Sequence, residues 1–426
     1  MDGHLRTAIA CVAAALVLAG CGTSAVRTSG PDGLRGRGPI TFAQGKDRGV
    51  VRLQVEAWNK AHPRERVTLI ELAEAPDAQR QQMVQNAQTR SDALTVLNLD
   101  VVWTAEFAAH RWITELPRDR FELSGFLKPT IDTGTYRDRL YAVPYTSDGG
   151  LLYYRKDLLA KAGARPPVTW EQMRQTCARV LALPEAKGMS CYAGQFDKYE
   201  GLTVNFAEAV DSAGGEIVDA QGRAHVDTPQ ARRGLEFLAQ GLRSGTIPKD
   251  AVTFQEEEGR RAFQAGRLVF QRQWPYQWAL ASRTDGSSTV AGRFEVAPLP
   301  GLTGPGTSSL GGHNLAISAF GRNKATAADF IRYLTSEPLQ RQSLQEQAFA
   351  PTLADLYDDP ALRRQYPYLS VLKASILRAK PRPRLVWYGD ATVAIQSAAY
   401  AALTGTKPAD RALADLQADL AQQTNR

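Results

Sequence analysis

A carboxylate and an aromatic ring follow a run of apolar residues near position 100. Segment 93–99 predicts an interior strand that ends at Asp100, and Trp103 follows on the next helix. Open α/β sheets bind their ligands at the carboxyl ends of strands. A carboxylate accepts hydrogen bonds from paired hydroxyls and a ring covers an apolar C–H face, so this pair suits a sugar. The alternative is that Asp100 only caps the helix and that Trp103 belongs to the core.

The length and composition of the chain narrow the class of protein. A chain of 426 residues exceeds what one hydrophobic core usually supports, so we expect two lobes. Apolar content of 43% and charged content of 22% are typical of a folded soluble protein. The net charge of +7 is mild, and the basic residues are scattered. Nucleic-acid binding is therefore disfavoured, since the sequence has neither a Cys/His finger nor a basic-aromatic run.

The amino terminus indicates where the protein works. Arg6 precedes the apolar run 8–19, which is too short for a permanent membrane span. The run ends in Leu-Ala-Gly-Cys, a pattern that resembles a bacterial lipoprotein signal. The resemblance implies a signal peptide over 1–20, a lipid anchor on Cys21 and a flexible tether over 21–38. An ordinary secretory signal is the alternative. We expect an extracytoplasmic protein, lipid-anchored to the outer face of the cell membrane.

The cysteine count agrees with that compartment. Cys11 leaves with the signal and Cys21 is the predicted anchor, so Cys177 and Cys191 remain. Two cysteines at modest spacing in an oxidising compartment predict a disulfide. Closing a loop of this size stabilises the fold by about 3 kcal/mol in the chain-entropy model. Because the pair lacks the C-x-x-C spacing, we interpret the bond as structural.

Alternating strands and helices are predicted around Asp100. The pattern predicts strands at 39–43, 67–72 and 93–99, with helices at 48–62 and 76–89 between them. This alternation is typical of a doubly wound parallel sheet.

The lobe changes at the extended segment 141–148, which leads to a strand at 151–154. Thr169 and Gln172 predict a capping box at the start of a helix. After a Gly/Ser/Thr-rich loop at 301–312, the strand 314–318 and a further helix indicate a return to the first lobe.

The order of these elements resembles the extracellular solute-binding proteins that feed sugar ABC importers, over nearly the whole mature chain. The landmarks are Ile40-Thr41-Phe42, Asp100, Tyr141-Ala142-Val143-Pro144, Leu152 to Lys156, Phe263 to Arg267, Trp274-Pro275, Gly311-Gly312 and Arg382-Pro383. The resemblance implies an α/β fold of the periplasmic-binding-protein type, with two lobes that close on a cleft. Each lobe would be a mainly parallel sheet flanked by helices. The lobes would comprise 39–144 with 302–357, and 145–301 with 358–426.

The same resemblance implies partners and a ligand. It implies a small sugar, a membrane permease and a monomeric chain without a cofactor or metal. Within the family, segments 99–107, 199–204 and 311–316 are similar to the trehalose-binding lipoproteins of actinobacterial importers. A disaccharide, foremost trehalose, is therefore the expected ligand.

Ligand-binding positions follow from the resemblance. Carried over by position, they are Asp100, Asp148, Glu256, Trp274, Gly312 and Arg382. Asp148 stands where the mycobacterial pattern has an amide, which leaves the hydrogen bonding at that position open. Glu257 and Glu258 are rivals to Glu256 for the carboxylate role.

The residue chemistry agrees with these assignments. The carboxylates supply acceptors, Arg382 supplies a planar fork of donors, and Tyr199 and Trp387 add rings to that of Trp274. Structural alternatives stay open at this point. Trp274 and Trp387 could pack at the hinge, Arg382 could be paired across the lobes, and Asp148 could cap a turn.

Two other functions compete with the disaccharide carrier. A secreted glycoside hydrolase also uses paired carboxylates. The candidate carboxylates fall in separate segments, however, and the sequence has neither G-x-S-x-G nor H-E-x-x-H. The second competitor keeps the fold and binds maltose, a maltooligosaccharide or another glycoside.

Overall fold

The computed structural model describes residues 33–46 and 49–424. The predicted signal peptide and Cys21 lie outside these residues. The strands are β1 Ile40–Gln44, β2 Val67–Glu71, β3 Val96–Asp100, β4 Thr135–Tyr136, β5 Arg139–Leu140, β6 Ala142–Gly149, β7 Leu151–Arg155, β8 Ser190–Ala193, β9 Leu268–Gln273, β10 Phe294–Ala297, β11 Ser309–Ile317 and β12 Lys380–Pro381.

Helices occupy most of the remaining described chain. They are α1 Val50–Ala61, α2 Pro76–Gln88, α3 Thr104–Ala109, α4 Lys128–Thr133, α5 Lys156–Lys161, α6 Trp170–Leu181, α7 Glu200–Ser212, α8 Pro229–Ser244, α9 Glu256–Gln264, α10 Gln277–Ala281, α11 Lys324–Leu334, α12 Glu337–Gln347, α13 Ala354–Asp358, α14 Pro360–Gln365, α15 Leu369–Arg378, α16 Tyr388–Leu403 and α17 Ala409–Thr424. None of these helices combines the length and apolarity that a membrane span requires.

The first sheet contains the strands that flank Asp100. Its strand order is β12-β11-β3-β1-β2, and β6 is a sixth strand that also pairs with β11. Strand β1 runs parallel to both β2 and β3, as the alternating pattern predicted. Strand β11 runs antiparallel to β3 and β6. The predicted loop at 301–312 is wrong for its last four residues, because β11 begins at Ser309 and takes its backbone partners from β6.

The second sheet has the order β10-β7-β9-β8. Only β8 and β9 pair in parallel, whereas β7 is antiparallel to both β9 and β10. The expectation of a mainly parallel sheet is therefore wrong for this lobe. Parallel neighbours need a long crossover, and here α7, α8 and α9 supply one between β8 and β9. The two-lobed α/β class itself is confirmed, while the lobe boundaries stay a prediction.

Local sequence signals account for several helix ends and for one covalent link. Thr169 caps α6, and Gln172 completes the capping box as predicted. The bond between Cys177 of α6 and Cys191 of β8 is formed, with the Cα atoms 5.5 Å apart. This disulfide ties a helix to the edge strand of the second sheet.

Candidate functional site

A cavity of about 270 Å³ lies where side chains from both sheets converge. Its volume is close to the lower end of the roughly 300–1,000 Å³ typical of small-molecule sites. Six predicted ligand positions line it: Asp100, Asp148, Glu256, Trp274, Gly312 and Arg382. The fold thus brings together residues that are scattered over most of the chain.

Asp100 ends β3 and accepts two hydrogen bonds within the protein; the N-cap of α3 is Trp103, so the helix-cap alternative for Asp100 is wrong. Its Oδ1 atom accepts a hydrogen bond from the backbone of Val102 at 3.1 Å, which supports the turn into α3. The same oxygen accepts from Arg382 Nη2 at 2.6 Å. Trp103 also reaches the cavity wall, but it is 2% exposed and packs in the core beside Phe107. Most of the Trp103 side chain therefore belongs to the core, as the alternative interpretation expected, and only a small part of it lines the cavity.

Arg382 is paired between two carboxylates from different parts of the fold. Besides Asp100, its guanidinium bonds to Glu200 at the start of α7. The Oε2 atom of Glu200 accepts from Thr392 at 2.7 Å. Burial alone would lower the pKa of Arg382, but the charges of Asp100 and Glu200 raise it, so the group stays cationic. Its Nε atom is buried without a hydrogen-bond partner among the described residues, which leaves one donor for a ligand.

Asp148 lies in β6, opposite Gly311 of β11. No group of the described residues donates a hydrogen bond to its carboxylate, so the turn-capping alternative has no support. Burial raises the pKa of Asp148 to about 7; the charge of Arg272 lowers it and that of Asp100 raises it. An unpaired acceptor in a buried site is costly, so a ligand that donates hydroxyl groups here would be stabilised.

The structure distinguishes the three consecutive glutamates at the start of α9. Glu258 faces away from the cavity; it forms a capping box with Gln255 and an ion pair with Arg261. Glu257 lines the cavity but is already bound by Arg260 at 2.7 Å. Glu256 lines the cavity and forms no ion pair among the described residues, and burial raises its pKa. Glu256 is therefore the carboxylate of the three that is available to a ligand.

Trp274 follows β9 and forms an aromatic wall of the cavity. One face of its indole is covered by the Arg272 guanidinium, whose Cζ lies 3.7 Å from the ring centroid. The edge of the ring approaches Gly311 so closely that a Cβ there would lie 2.8 Å from it. The half-buried ring therefore has a fixed position from which it can stack on an apolar face of a ligand.

The remaining predicted positions lie differently. Gly312 has φ +106°, and a Cβ there would lie 2.2 Å from the carbonyl oxygen of Thr146, so the site needs glycine. Tyr199 is buried beside Glu256, whose charge adds to burial in raising its pKa, but its ring is not part of the cavity wall. Trp387 lies outside this cavity, against a separate one of about 330 Å³ beside Arg80.

Sequence reasoning overlooked several residues of the wall. They are Gln44, Gln79, Asn98, Tyr145, Glu200, Tyr276 and His313. Glu257 also lines the cavity, but the sequence did not predict that its carboxylate is already paired. Some had a signal: Tyr276 follows Trp274 and Pro275, and Glu200 opens the helix after Tyr199. His313 is partly buried, and burial lowers its pKa, which favours the neutral ring.

The lining has a consistent chemistry. Carboxylates accept hydrogen bonds, amides both accept and donate them, one arginine donates them, and aromatic rings cover apolar surface. No group of histidines, cysteines and carboxylates suited to a metal ion occurs among the described residues. The arrangement suits a polyhydroxylated molecule.

Comparison with known proteins identifies the family. A family model described as bacterial extracellular solute-binding protein matches residues 54–366. The chain belongs to this family. Its members are extracytoplasmic, non-enzymatic components of ABC transport, and relatives with a named ligand include a mannitol-binding protein and a maltose-bound one. The glycoside hydrolase alternative is therefore set aside.

Individual members of the solute-binding family align over almost the whole chain. A probable ABC transporter-binding protein of Deinococcus radiodurans is 33% identical over 86% of this chain and 88% of its own. A mannitol-binding protein of Pseudomonas aeruginosa is 24% identical over 92% and 94%. The maltose-bound structure of T. maritima MalE3 is 33% identical, covers 90% of this chain and 98% of its own, and has a TM-score of 0.85.

Proposed function

We propose that this solute-binding protein captures a disaccharide in the cavity and delivers it unchanged to an ABC import permease. The observation that carries the proposal is the convergence of Asp148, Glu256 and Trp274 on one cavity. The first two offer acceptors without ion-pair partners, and the third offers a flat apolar wall. A pyranose needs both: acceptors for its hydroxyl groups and an aromatic face for its C–H bonds.

Trehalose is the first candidate ligand. The support is the similarity of segments 99–107, 199–204 and 311–316 to trehalose-binding lipoproteins, and each of these segments contributes to the cavity wall. Maltose is the second candidate, because the T. maritima relative at 33% identity was solved with maltose. Both are glucose disaccharides, and they differ in the linkage that the cavity must fit.

Delivery requires that the loaded protein differ from the empty one. We propose that the lobes close on the sugar by a hinge motion, so that the sugar shifts an existing equilibrium towards the closed form. A lipid on Cys21 would hold the protein near its permease through the tether 21–38. A shift of the expressed protein to the aqueous phase on detergent partitioning after Cys21→Ser would support the anchor; an unchanged distribution would refute it.

The ligand proposal is tested by calorimetry of the purified protein with trehalose, maltose, lactose and mannitol. We expect saturable binding of a disaccharide, tightest for trehalose, and quantitative recovery of the sugar intact. Tighter binding of maltose would replace the first candidate with the second. Binding of mannitol alone would refute a disaccharide ligand while leaving the family unaffected.

A further inference from the structure

A buried ion pair lies directly behind the aromatic wall of the cavity. Arg272 is 1% exposed, and its Nε and Nη2 atoms donate to the two oxygens of Glu208 at 2.7 Å and 2.5 Å. Its Nη1 atom donates to Gln195 at 3.1 Å. Each nitrogen of the guanidinium therefore donates a hydrogen bond in the plane of the group, and its flat face is left for stacking.

That flat face lies against Trp274. Arg272 lies near the end of β9 and Trp274 directly follows this strand, so their side chains meet where the strand ends. The distance from Cζ to the indole centroid is 3.7 Å. Arg272 does not line the cavity itself, so it acts on a ligand through the indole that it covers and through its charge, which lowers the pKa of Asp148 and which Arg272→Lys keeps.

The surrounding backbone holds this stack in place. A Cβ at Gly150 would lie 2.7 Å from Glu208 Oε1 and 2.8 Å from Arg272 Nη2, so the ion pair occupies space that a side chain would need. Glu208 Oε1 also accepts from the backbone of Ser309 in β11 at 3.1 Å. The ion pair is therefore bound to β11, the strand whose Gly311 lies against the edge of the indole.

We propose that Arg272, held by Glu208, is a positioning residue that fixes the Trp274 indole as the stacking surface for the ligand. The inference rests on the proposed function for what the indole stacks on, but the immobilisation of the indole does not depend on it. A platform that is already in place costs less conformational entropy when a ligand binds.

The test uses Arg272→Lys, which keeps the charge beside Glu208 and removes the planar stacking surface. Acrylamide quenching is measured on the unliganded protein, with and without Trp274→Phe, so that the difference isolates Trp274 among the seven tryptophans. We expect Trp274 to become more accessible in the variant. Unchanged quenching would overturn the inference, whether or not a sugar binds.

Affinity for trehalose and maltose supplies the second readout. We expect Arg272→Lys to weaken binding about two- to tenfold, the range for immobilising one side chain on binding. The same substitution in a Trp274→Ala background should have no further effect. A loss that persists without the indole would overturn a role through Trp274. If neither sugar binds the wild-type protein, the disaccharide proposal fails, and quenching alone decides the inference.

Two further variants separate positioning from general stability. Arg155→Lys is the matched control, because Arg155 is also buried in this sheet and bound to Asp157 by two hydrogen bonds, at the far end of β7. It should leave both quenching and affinity unchanged; equal losses in the control would overturn the inference. Should Arg272→Lys fail to fold, Arg272→Met combined with Glu208→Gln removes the pair without a buried unpaired charge and should expose Trp274 in the same way.

Discussion

Arg382 donates a hydrogen bond to Asp100 across 282 positions of sequence, at 2.6 Å. The same guanidinium bonds to Glu200, so one buried cation is shared by two carboxyl groups, one at the end of β3 and one at the start of α7. Removing one member of such a buried group leaves the charge of its partner uncompensated, so the three residues depend on one another. The arginine predicted as a sugar-binding fork is therefore also a structural link at the wall of the cavity.

Replacement of Arg382 by methionine should destabilise the protein strongly. The change leaves Asp100 and Glu200 without their shared cation, and removing one partner of a buried pair costs about 3–5 kcal/mol. Urea unfolding measures the loss. As a control, Arg341→Met breaks the half-exposed contacts to Glu337 and Asp359 and should cost about 1 kcal/mol or less. Equal losses in the two variants would contradict a buried ion-pair triad.

Replacement of Trp274 by alanine should weaken sugar binding by about 1–2 kcal/mol, since the stacked ring is lost. Trp387→Ala is the matched control, because Trp387 is also partly exposed but lies outside the cavity. Calorimetry with trehalose and maltose measures both. Unchanged affinity in Trp274→Ala, or an equal loss in Trp387→Ala, would refute the assignment of Trp274 as the platform.

Sugar affinity should rise with pH between about 5 and 8. Burial raises the pKa of Asp148 from 3.8 to about 7, so the carboxylate form that accepts sugar hydroxyls becomes populated only as the pH approaches neutrality. Binding should therefore release protons near pH 7. In Asp148→Asn this part of the dependence should vanish. Calorimetry in buffers of different ionisation enthalpy detects the protons, and a wild-type profile shared by the variant would contradict the role of Asp148.

The same group has a predictable effect on stability. Because the folded pKa of Asp148 is raised above its unfolded value, the native state holds a proton that the unfolded state has released between about pH 4 and 7. The contribution of Asp148 to the free energy of unfolding therefore falls as the pH rises through this window. Asp148→Asn should make the slope of unfolding free energy against pH less negative in this window; a more negative slope would contradict the argument.

Removal of the disulfide should cost stability without changing affinity. The Cys177–Cys191 bond closes a short loop between α6 and β8, and the chain-entropy model values such a link at about 3 kcal/mol. Neither cysteine lines the cavity. Urea unfolding and calorimetry of Cys177→Ser combined with Cys191→Ser measure the two quantities. A loss of affinity alongside an unchanged unfolding free energy would be the opposite of the expected result.

Local and covalent features could be predicted from the sequence. The first three strands and the Thr169 capping box were recognised because they depend on hydrophobic periodicity or on neighbouring residues. The disulfide was recognised because only two cysteines remain in the predicted mature chain. The pairing of the second sheet was predicted wrongly, since strand direction is set by which strands meet after the intervening helices pack. Similar strand patterns serve both parallel and antiparallel neighbours when a sheet is covered on both faces.

The sequence by itself determined which residue types the site has available: carboxylates at Asp100, Asp148 and Glu256, and a ring at Trp274. Tertiary structure decided how they are used. It placed Trp387 at a different cavity, turned Glu258 to its helix cap, and committed Arg382 to Glu200 across 182 positions. The physical reason is that burial and pairing arise between segments distant in sequence, so the charge balance of the site exists only once the lobes are packed.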